Sequence, residues 1–395
     1  MSGIREVVVV SGARAPIGSF GGTLKDFSPT KLGALVVRSA LERAKLDAAQ
    51  VDQLVCGNLI HTEPRDIYIS RAIALDAGMR QESSALTVNR ICGSGLQSIV
   101  TAANAIQLGE AEIAIGAGVE SMSRAGYLMP AARFGARMGD AKMIDMMVGA
   151  LTDPFSPNHM GVTAENIAER FKISREDQDA FAVESQRRAV AAIAAGHFKS
   201  QIVPVEIQSR KGPTFFDTDE YPKADATLEG LSKLKPAFKK DGTVTAGNAS
   251  GINDGAAAVV LMEATAASKA GLQPLGRLVS YAVAGVAPDI MGTGPIPAVK
   301  LALARAGLKL DDIDVIESNE AFAVQALCVS RELGFDPAKT NPNGGAVALG
   351  HPLGASGTIL VVKCLYELQR TGKRYGLVTL CIGGGQGIAA IFERH

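Results

Sequence analysis

Cys92-Gly93-Ser94-Gly95 and Gly354-Ala355-Ser356-Gly357 are two runs of small residues that lie 262 positions apart. The same offset aligns Ala40-Leu41-Glu42-Arg43-Ala44-Lys45-Leu46 with Ala302-Leu303-Ala304-Arg305-Ala306-Gly307-Leu308 and sets Asp52 on Asp314. Alanine-rich helical sequence matches itself easily. Gapless agreement at one offset nevertheless points to an internal duplication. A later pair, residues 255–263 and 385–393, is offset by only 130. The first copy therefore carries about 132 more residues than the second, inserted between Gly118 and Gly251. That segment reads differently, with Met138, Met143, Met146, Met147 and Met160, loops containing proline and aspartate, and a long helical pattern over 176–195. The expected division is 1–121 with 252–273 as one half, 122–251 as an inserted loop domain, and 274–395 as the second half.

Outside the insertion, continuous apolar runs at 7–10, 113–115, 257–262, 377–380 and 388–392 alternate with alanine-rich helical stretches such as 31–43 and 299–306. Such runs suit strands buried on both faces of an α/β sheet. With 395 residues, 47% of them hydrophobic, the chain can bury a large core. Forty basic and forty acidic residues cancel, so no global field draws it to nucleic acid or to a membrane surface. No apolar run reaches the roughly 20 residues needed to span a bilayer. The start, Met1-Ser2-Gly3-Ile4-Arg5-Glu6, lacks the layout of a secretory leader, so a cytoplasmic protein is expected.

The five cysteines are scattered without a C-x-x-C pair, which argues against a disulfide framework or a zinc site. Cys56, Cys328 and Cys364 read as small core residues. Cys92 differs. It lies in Val88-Asn89-Arg90-Ile91-Cys92-Gly93-Ser94-Gly95-Leu96, between a strand pattern and a helix running to about Gln107. The start of a helix is expected to lower a thiol pKa through its free N–H groups and dipole. Alone, the motif fits a buried cysteine at a tight turn equally well. His351 stands in Gly350-His351-Pro352-Leu353-Gly354, before the helix that mirrors the Cys92 helix, and occupies the repeat position of Asn89. Pseudo-symmetric packing would bring the two helix starts to one site. Cys381 opens Cys381-Ile382-Gly383-Gly384-Gly385-Gln386-Gly387 directly after a strand. A dinucleotide-binding turn should open a helix, whereas a strand follows here, so N–H groups aimed at an anion or a crowded ligand fit better. Asn319-Glu320-Ala321-Phe322-Ala323 follows the strand at 315–316 and could place an amide in the same cleft.

The four segments around Cys92, Asn319, His351 and Cys381, in that family's order, resemble the signature blocks of the thiolase family, and the likeness runs from about Arg5 to Arg394. The resemblance implies two βαβαβαββ halves in a layered αβαβα core, plus a loop domain. It implies that Cys92 attacks a thioester or 3-ketoacyl-CoA carbonyl and carries the acyl group, with His351 taking its proton. Cys381 would exchange the α-proton as general acid/base. One oxyanion hole would use His351 and a water held by Asn319, the other the N–H groups of Cys92 and Gly383. No tightly bound cofactor is implied, only coenzyme A thioesters as substrates. By the same resemblance Ala246, Ser250 and Gly251 would follow the pantetheine arm, Lys223 would stand near the nucleotide end, and Phe238 beside the adenine.

His159 and Met160, in Asn158-His159-Met160-Gly161, together with Leu151, Met291 and Phe322, match bulky acyl-pocket positions of short-chain biosynthetic enzymes. Thr62-Glu63-Pro64-Arg65-Asp66 and residues 131–140 look more like bacterial β-ketothiolases that accept five- and six-carbon ketoacyl groups. The segment 127–145 resembles the loop that pairs bacterial thiolase dimers, so a homotetramer is expected. The rival readings are a degradative long-chain thiolase, a fatty-acid or polyketide condensing enzyme, and a catalytically dead lipid carrier. The condensing enzyme would be expected to carry histidine at Cys381. The carrier need not retain all four catalytic positions.

Overall fold

The computed structural model describes residues 4–210 and 212–395; residues 1–3, read above for a leader, lie outside them. One ten-stranded sheet runs through the molecule. Nine strands make its path: β1 (Val7–Arg14), β2 (Gln53–Gly57), β3 (Ser84–Val88), β4 (Ile113–Ser121), β5 (Asn253–Glu263), β6 (Gly276–Gly285), β7 (Val315–Ser318), β8 (Tyr375–Ile382) and β9 (Gln386–Glu393). They are ordered β7-β8-β9-β6-β1-β5-β4-β2-β3, and the two-residue strand Gly18–Ser19 pairs with β5.

The two halves have the same strand order. β3-β2-β4-β5-β1 in the first is matched by β7-β8-β9-β6 in the second, and a parallel bridge from Ile316 to Thr340 stands where the fifth strand would be. The halves join in the sheet through Val8 opposite Arg277 and Val9 opposite Gly276. The offset of 262 reappears in space, since β2 starts at Gln53 and β7 at Val315, while β4 starts at Ile113 and β8 at Tyr375. Asp52 accepts the backbone N–H groups of Glu112 and Ile113, and Asp314 accepts those of Arg374 and Tyr375. The aligned aspartates thus do the same job at the start of matching strands.

The apolar runs form the sheet centre and are buried on both faces, as their composition predicts. The pairing there is mostly antiparallel, with parallel pairs confined to β2–β3, β2–β4 and β7–β8. The sequence reading missed β6, whose buried and half-buried residues alternate instead of forming one apolar run.

Helix α1 (Pro29–Ala44) covers the outer face of the first half, where Leu32, Val36, Val37 and Leu41 pack against β1, β2, β4 and β5. Between the halves lie α2 (Ser94–Leu108) and, further along, the helix Leu353–Thr371. The loop segment supplies α3 (Met160–Phe171) and α4 (Arg175–Ala194), the latter starting at Ser174, whose Oγ accepts the Asp177 N–H. With α5 (Pro295–Ala306) and α6 (Ala323–Leu333) on the outer face of the second half, Leu353–Thr371 becomes α7. One core cluster lies between α1 and the sheet, another between the halves around α2 and α7, and a third beneath α5 and α6. The result is five layers, helix–sheet–helix–sheet–helix. No helix among the described residues is long and apolar enough to cross a membrane.

The inner helices cross at the duplicated motif. A Cβ on Gly357 would lie 2.2 Å from the Leu96 backbone nitrogen, and one on its repeat mate Gly95 would lie 2.7 Å from the Thr358 nitrogen. Neither position has room for a side chain, so glycine sets the closeness of the two helices. Lys363 on α7 donates to Glu317 of β7 at 2.7 Å and to the Gly344 carbonyl at 2.8 Å, a buried pair that ties the helix to the strand before Asn319.

Candidate active site

Cys92 sits on the turn between β3 and α2, and Ile91 before it has φ +46°. A β-branched residue in the left-handed region is strained, so the surroundings must hold it there. They do so with hydrogen bonds. Asn89 Oδ1 accepts the Ile91 N–H at 3.0 Å, and Ser94 Oγ accepts the Arg90 N–H at 2.8 Å while donating to the Ile91 carbonyl at 2.7 Å. The turn presents a half-buried thiol that feels the Gly383 N–H and its own N–H. Gly383 lies in the tight return from β8 to β9, where Gly384 and Gly385 have φ +84° and +87°.

The expected depression of the Cys92 pKa is not found. Burial pushes the thiol up to about 11, with the two N–H groups pulling it down and the buried Glu120 carboxyl adding to the rise. Desolvation outweighs the helix start. Cys92 is therefore a thiol at rest.

His351 is held in one orientation. Its backbone N–H donates to Asn253 Oδ1 at 2.9 Å, and Gly350 before it takes φ +103°. Ser356 Oγ donates to the Pro352 carbonyl at 2.9 Å and lies 2.6 Å from His351 Nδ1. With its hydrogen so committed, Ser356 must accept from Nδ1–H, which makes Nε2 the acceptor nitrogen. Nε2 faces Asn319 Nδ2 at 3.3 Å. Burial drives the imidazole pKa down to about 4, so the ring is neutral at physiological pH. Ser356 is the repeat mate of Ser94: the same position fixes the nucleophile turn in one half and the imidazole in the other. Asn319 is held by its own N–H to the Thr379 carbonyl at 2.9 Å. Cys381 is the penultimate residue of β8 and fully buried, and its thiol is raised well above the ordinary range by burial and by the adjacent Cys92 sulfur.

A cavity of about 500 Å³ opens beside these groups, lined by His351, Leu353, Leu151, His159, Phe238, Phe322 and the 245–252 segment, with Ala246, Ser250 and Gly251 in it. Met122, Leu151, Ile252 and Leu353 belong both to this wall and to the apolar patch around Cys92. The 246–251 segment is anchored to the Asn319 block, because the Ser250 N–H donates to the Ala321 carbonyl and the Ala323 N–H to the Asn248 carbonyl. His159 caps α3 through Nδ1, which accepts the Gly161 N–H at 3.0 Å.

Several expectations shift. Phe238 stacks on His159 at 4.7 Å and meets Phe322 edge-on at 6.1 Å, so it belongs to the inner wall and not to an outlying nucleotide end. Lys223 is exposed and outside the lining; its ammonium lies over Tyr221, which does line the cavity. Met291 and Met160 are both buried in the cluster with Cys381, as core and not as cavity wall, whereas Phe322 does line the cavity. Sequence reasoning missed Tyr221, Phe20 and Ser356. Only Ser356 left a signal, as the repeat mate of Ser94. A second cavity, of about 290 Å³ between α4 and α6, has its arginines already paired, Arg331 with Asp177 and Arg188 with Glu184.

Of the four groups, His351 lines the cavity, Cys92 packs with residues of its wall, Asn319 faces His351 and Cys381 adjoins Cys92, the constellation of an acyl-transfer enzyme. The chain belongs to the thiolase family: residues 7–265 match the thiolase N-terminal domain and residues 272–394 the thiolase C-terminal domain. It is 62% identical to the beta-ketothiolase BktB of Cupriavidus necator over 99% of both chains, and 51% identical to an acetyl-CoA acetyltransferase of Pseudomonas aeruginosa over 99% of this chain and 100% of the relative. Human mitochondrial 3-ketoacyl-CoA thiolase, solved in complex with CoA, superposes with a TM-score of 0.96 at 46% identity over 99% of this chain and 98% of that one.

Proposed function

We propose that the protein catalyses the reversible Claisen condensation of acetyl-CoA with a short acyl-CoA, through an acyl-Cys92 intermediate. In thiolysis, Cys92 passes its proton to His351 Nε2 and its sulfur attacks the 3-keto carbon. The bond between C2 and C3 then breaks, and Cys381 protonates the departing enolate carbon. Coenzyme A attacks the acyl-Cys92 thioester in the second half-reaction, its thiol proton passing to the Cys381 thiolate, and leaves as the shortened acyl-CoA while the imidazolium of His351 returns its proton to the expelled Cys92 sulfur. His351 with Asn319, and the N–H groups of Cys92 and Gly383, serve the developing oxyanions. The observation that carries this reading is that Cys92 packs with Leu151, Ile252 and Leu353, which line the same cavity as the neutral His351, with Cys381 next to Cys92. The pair also sequences itself. A charged Cys92 sulfur opposes ionisation of Cys381, and acylation removes that charge, so Cys381 can act as a base once the acyl group is loaded.

Coenzyme A thioesters enter by the cavity beside Ser250 and Gly251, and no resident cofactor takes part. Four to six acyl carbons suit the wall of Leu151, Met122 and Met147 around Cys92, and the identity to the beta-ketothiolase supports the upper end. Residues 122–251 act as the loop domain between the halves 1–121 with 252–273 and 274–395. Tyr127, Phe134, Met138 and Met143 are exposed there, which supports a homotetramer, and intact-complex mass showing only dimers would remove that part. Five free cysteines suit a reducing cytoplasm. The deciding experiment is thiolysis by CoA of 3-ketoacyl-CoAs of four, five, six and ten carbons. Turnover concentrated at four to six is expected. A preference for ten would make the enzyme degradative. No turnover from folded protein with a free Cys92 thiol would remove the enzymatic reading.

A further inference from the structure

Glu120, near the end of β4, is fully buried and takes no part in the chemistry above. Its surroundings are specific. Oε1 accepts from Asn58 Nδ2 at 3.1 Å and the Ile60 N–H at 3.0 Å, while Oε2 accepts from the Leu59 N–H at 3.3 Å and the Gly354 N–H at 2.8 Å. The first three donors belong to the 58–60 segment, whose Leu59 and Ile60 pack in the apolar patch with Cys92. The fourth is in the first turn of α7, three residues after His351 and in the other half of the molecule. The fit is tight, since a Cβ on Gly354 would lie 2.8 Å from Glu120 Oε2 and 3.1 Å from Asn58 Cα.

Burial pushes the carboxyl up to about 8 against the pull of these N–H groups. Each oxygen nevertheless accepts two N–H bonds, so all its lone-pair directions are filled and a carboxyl proton would point at a donor. The arrangement is that of a carboxylate, held by charge-assisted bonds roughly twice as strong as neutral ones. The titratable groups that feel it are Asp254, Cys56 and Cys92, none of them cationic.

We propose that Glu120 is a positioning residue for the thiol–imidazole pair, its carboxylate clamping the His351-bearing turn of one half to the Cys92-side segment of the other. Its charge adds to the burial that already holds Cys92 as a thiol. This rests on the acyl-Cys92 reading, and the test separates the two. In Glu120→Gln, an amide nitrogen would face N–H donors and break two of the four bonds. Steady-state thiolysis of acetoacetyl-CoA should show kcat reduced ~10-fold or more with KM for CoA within about twofold, since the CoA wall is untouched. Alkylation of Cys92 by iodoacetamide, read by peptide mass against pH, should move to lower pH, with the rate at pH 8 rising ~3-fold or more as the neighbouring charge is lost. Glu120→Asp keeps the charge, so its alkylation profile should stay at the parental pH. An unchanged kcat or an unchanged alkylation profile in Glu120→Gln overturns the proposal. If that variant does not fold, an alkylation profile in Glu120→Asp displaced to lower pH overturns it instead. The alkylation arm needs no turnover, so an inactive parent would refute the acyl-transfer reading and leave this measurement decisive.

Discussion

Replacing Gly357 by alanine tests whether the contact between α2 and α7 sets the reactive geometry. The added Cβ would lie 2.2 Å from the Leu96 backbone nitrogen and 3.0 Å from the Gly95 carbonyl carbon, whereas ordinary contact begins at 3.4 Å. Backbone cannot swing aside as a long side chain can, so the helices must separate by about 1 Å at the crossing. Overpacking of this kind costs about 1–3 kcal/mol. The larger effect falls on the chemistry, because Cys92 and His351 sit at the starts of those two helices. A displacement of about 1 Å in a reacting pair can cost on the order of 100-fold in rate. Gly357→Ala should therefore lose about 100-fold in kcat/KM for thiolysis of acetoacetyl-CoA, with a denaturant midpoint lowered to match about 1–3 kcal/mol. Gly126→Ala is the control, since nothing lies within 4 Å of its Cβ. A Gly357→Ala enzyme with kcat/KM within about threefold of the parent and an unchanged midpoint would show that the crossing does not position the pair.

Ser356→Ala removes the acceptor that fixes the His351 tautomer, and kcat should fall ~10-fold with KM nearly unchanged. A proportionate rise in KM instead would place Ser356 in binding. Because burial holds the His351 pKa down to about 4, the base stays neutral on acidification until near that pH, and the acid limb of kcat/KM attributable to His351 should fall near 4 and not near 6.5. Between those values the unfolded chain binds a proton that the folded one does not. Stability should therefore drop as pH falls through that window, by about 3 kcal/mol at its lower end, and His351→Gln should remove that share in acid denaturation. Lys363→Met strands Glu317 without its cation and should cost about 3–5 kcal/mol in chemical denaturation. Pairing it with Glu317→Gln should restore most of the loss; failure to do so would mean the pair is not the source.

Much of this was readable from residues alone, for identifiable reasons. The duplication survived because glycine and small residues are obligatory where α2 and α7 cross, and because Asp52 and Asp314 bind the same N–H groups at matching strands. Cys92, His351 and Cys381 stood out through turns rich in glycine and proline, whereas Asn319 was singled out by the family resemblance. The protonation state of Cys92 was not readable, because the helix start is a local feature whereas burial by the other half is a tertiary one. The place of Phe238 depended on stacking against His159, far away in sequence. Glu120 gave no signal, since its four donors come from two segments that only the fold brings together.

The division of the reactive groups between halves also bears on how the enzyme is made. Cys92 leaves the ribosome long before His351 and Cys381, and until α7 arrives the inner face of α2 has nothing to cover it. Through that interval the thiol has neither its base nor its oxyanion donors from the second half. The nascent protein is chemically quiet towards acyl-CoA, yet it exposes an apolar helix face. The hazard of synthesis is therefore aggregation of the first half, and the first turnover reports that the second half has docked.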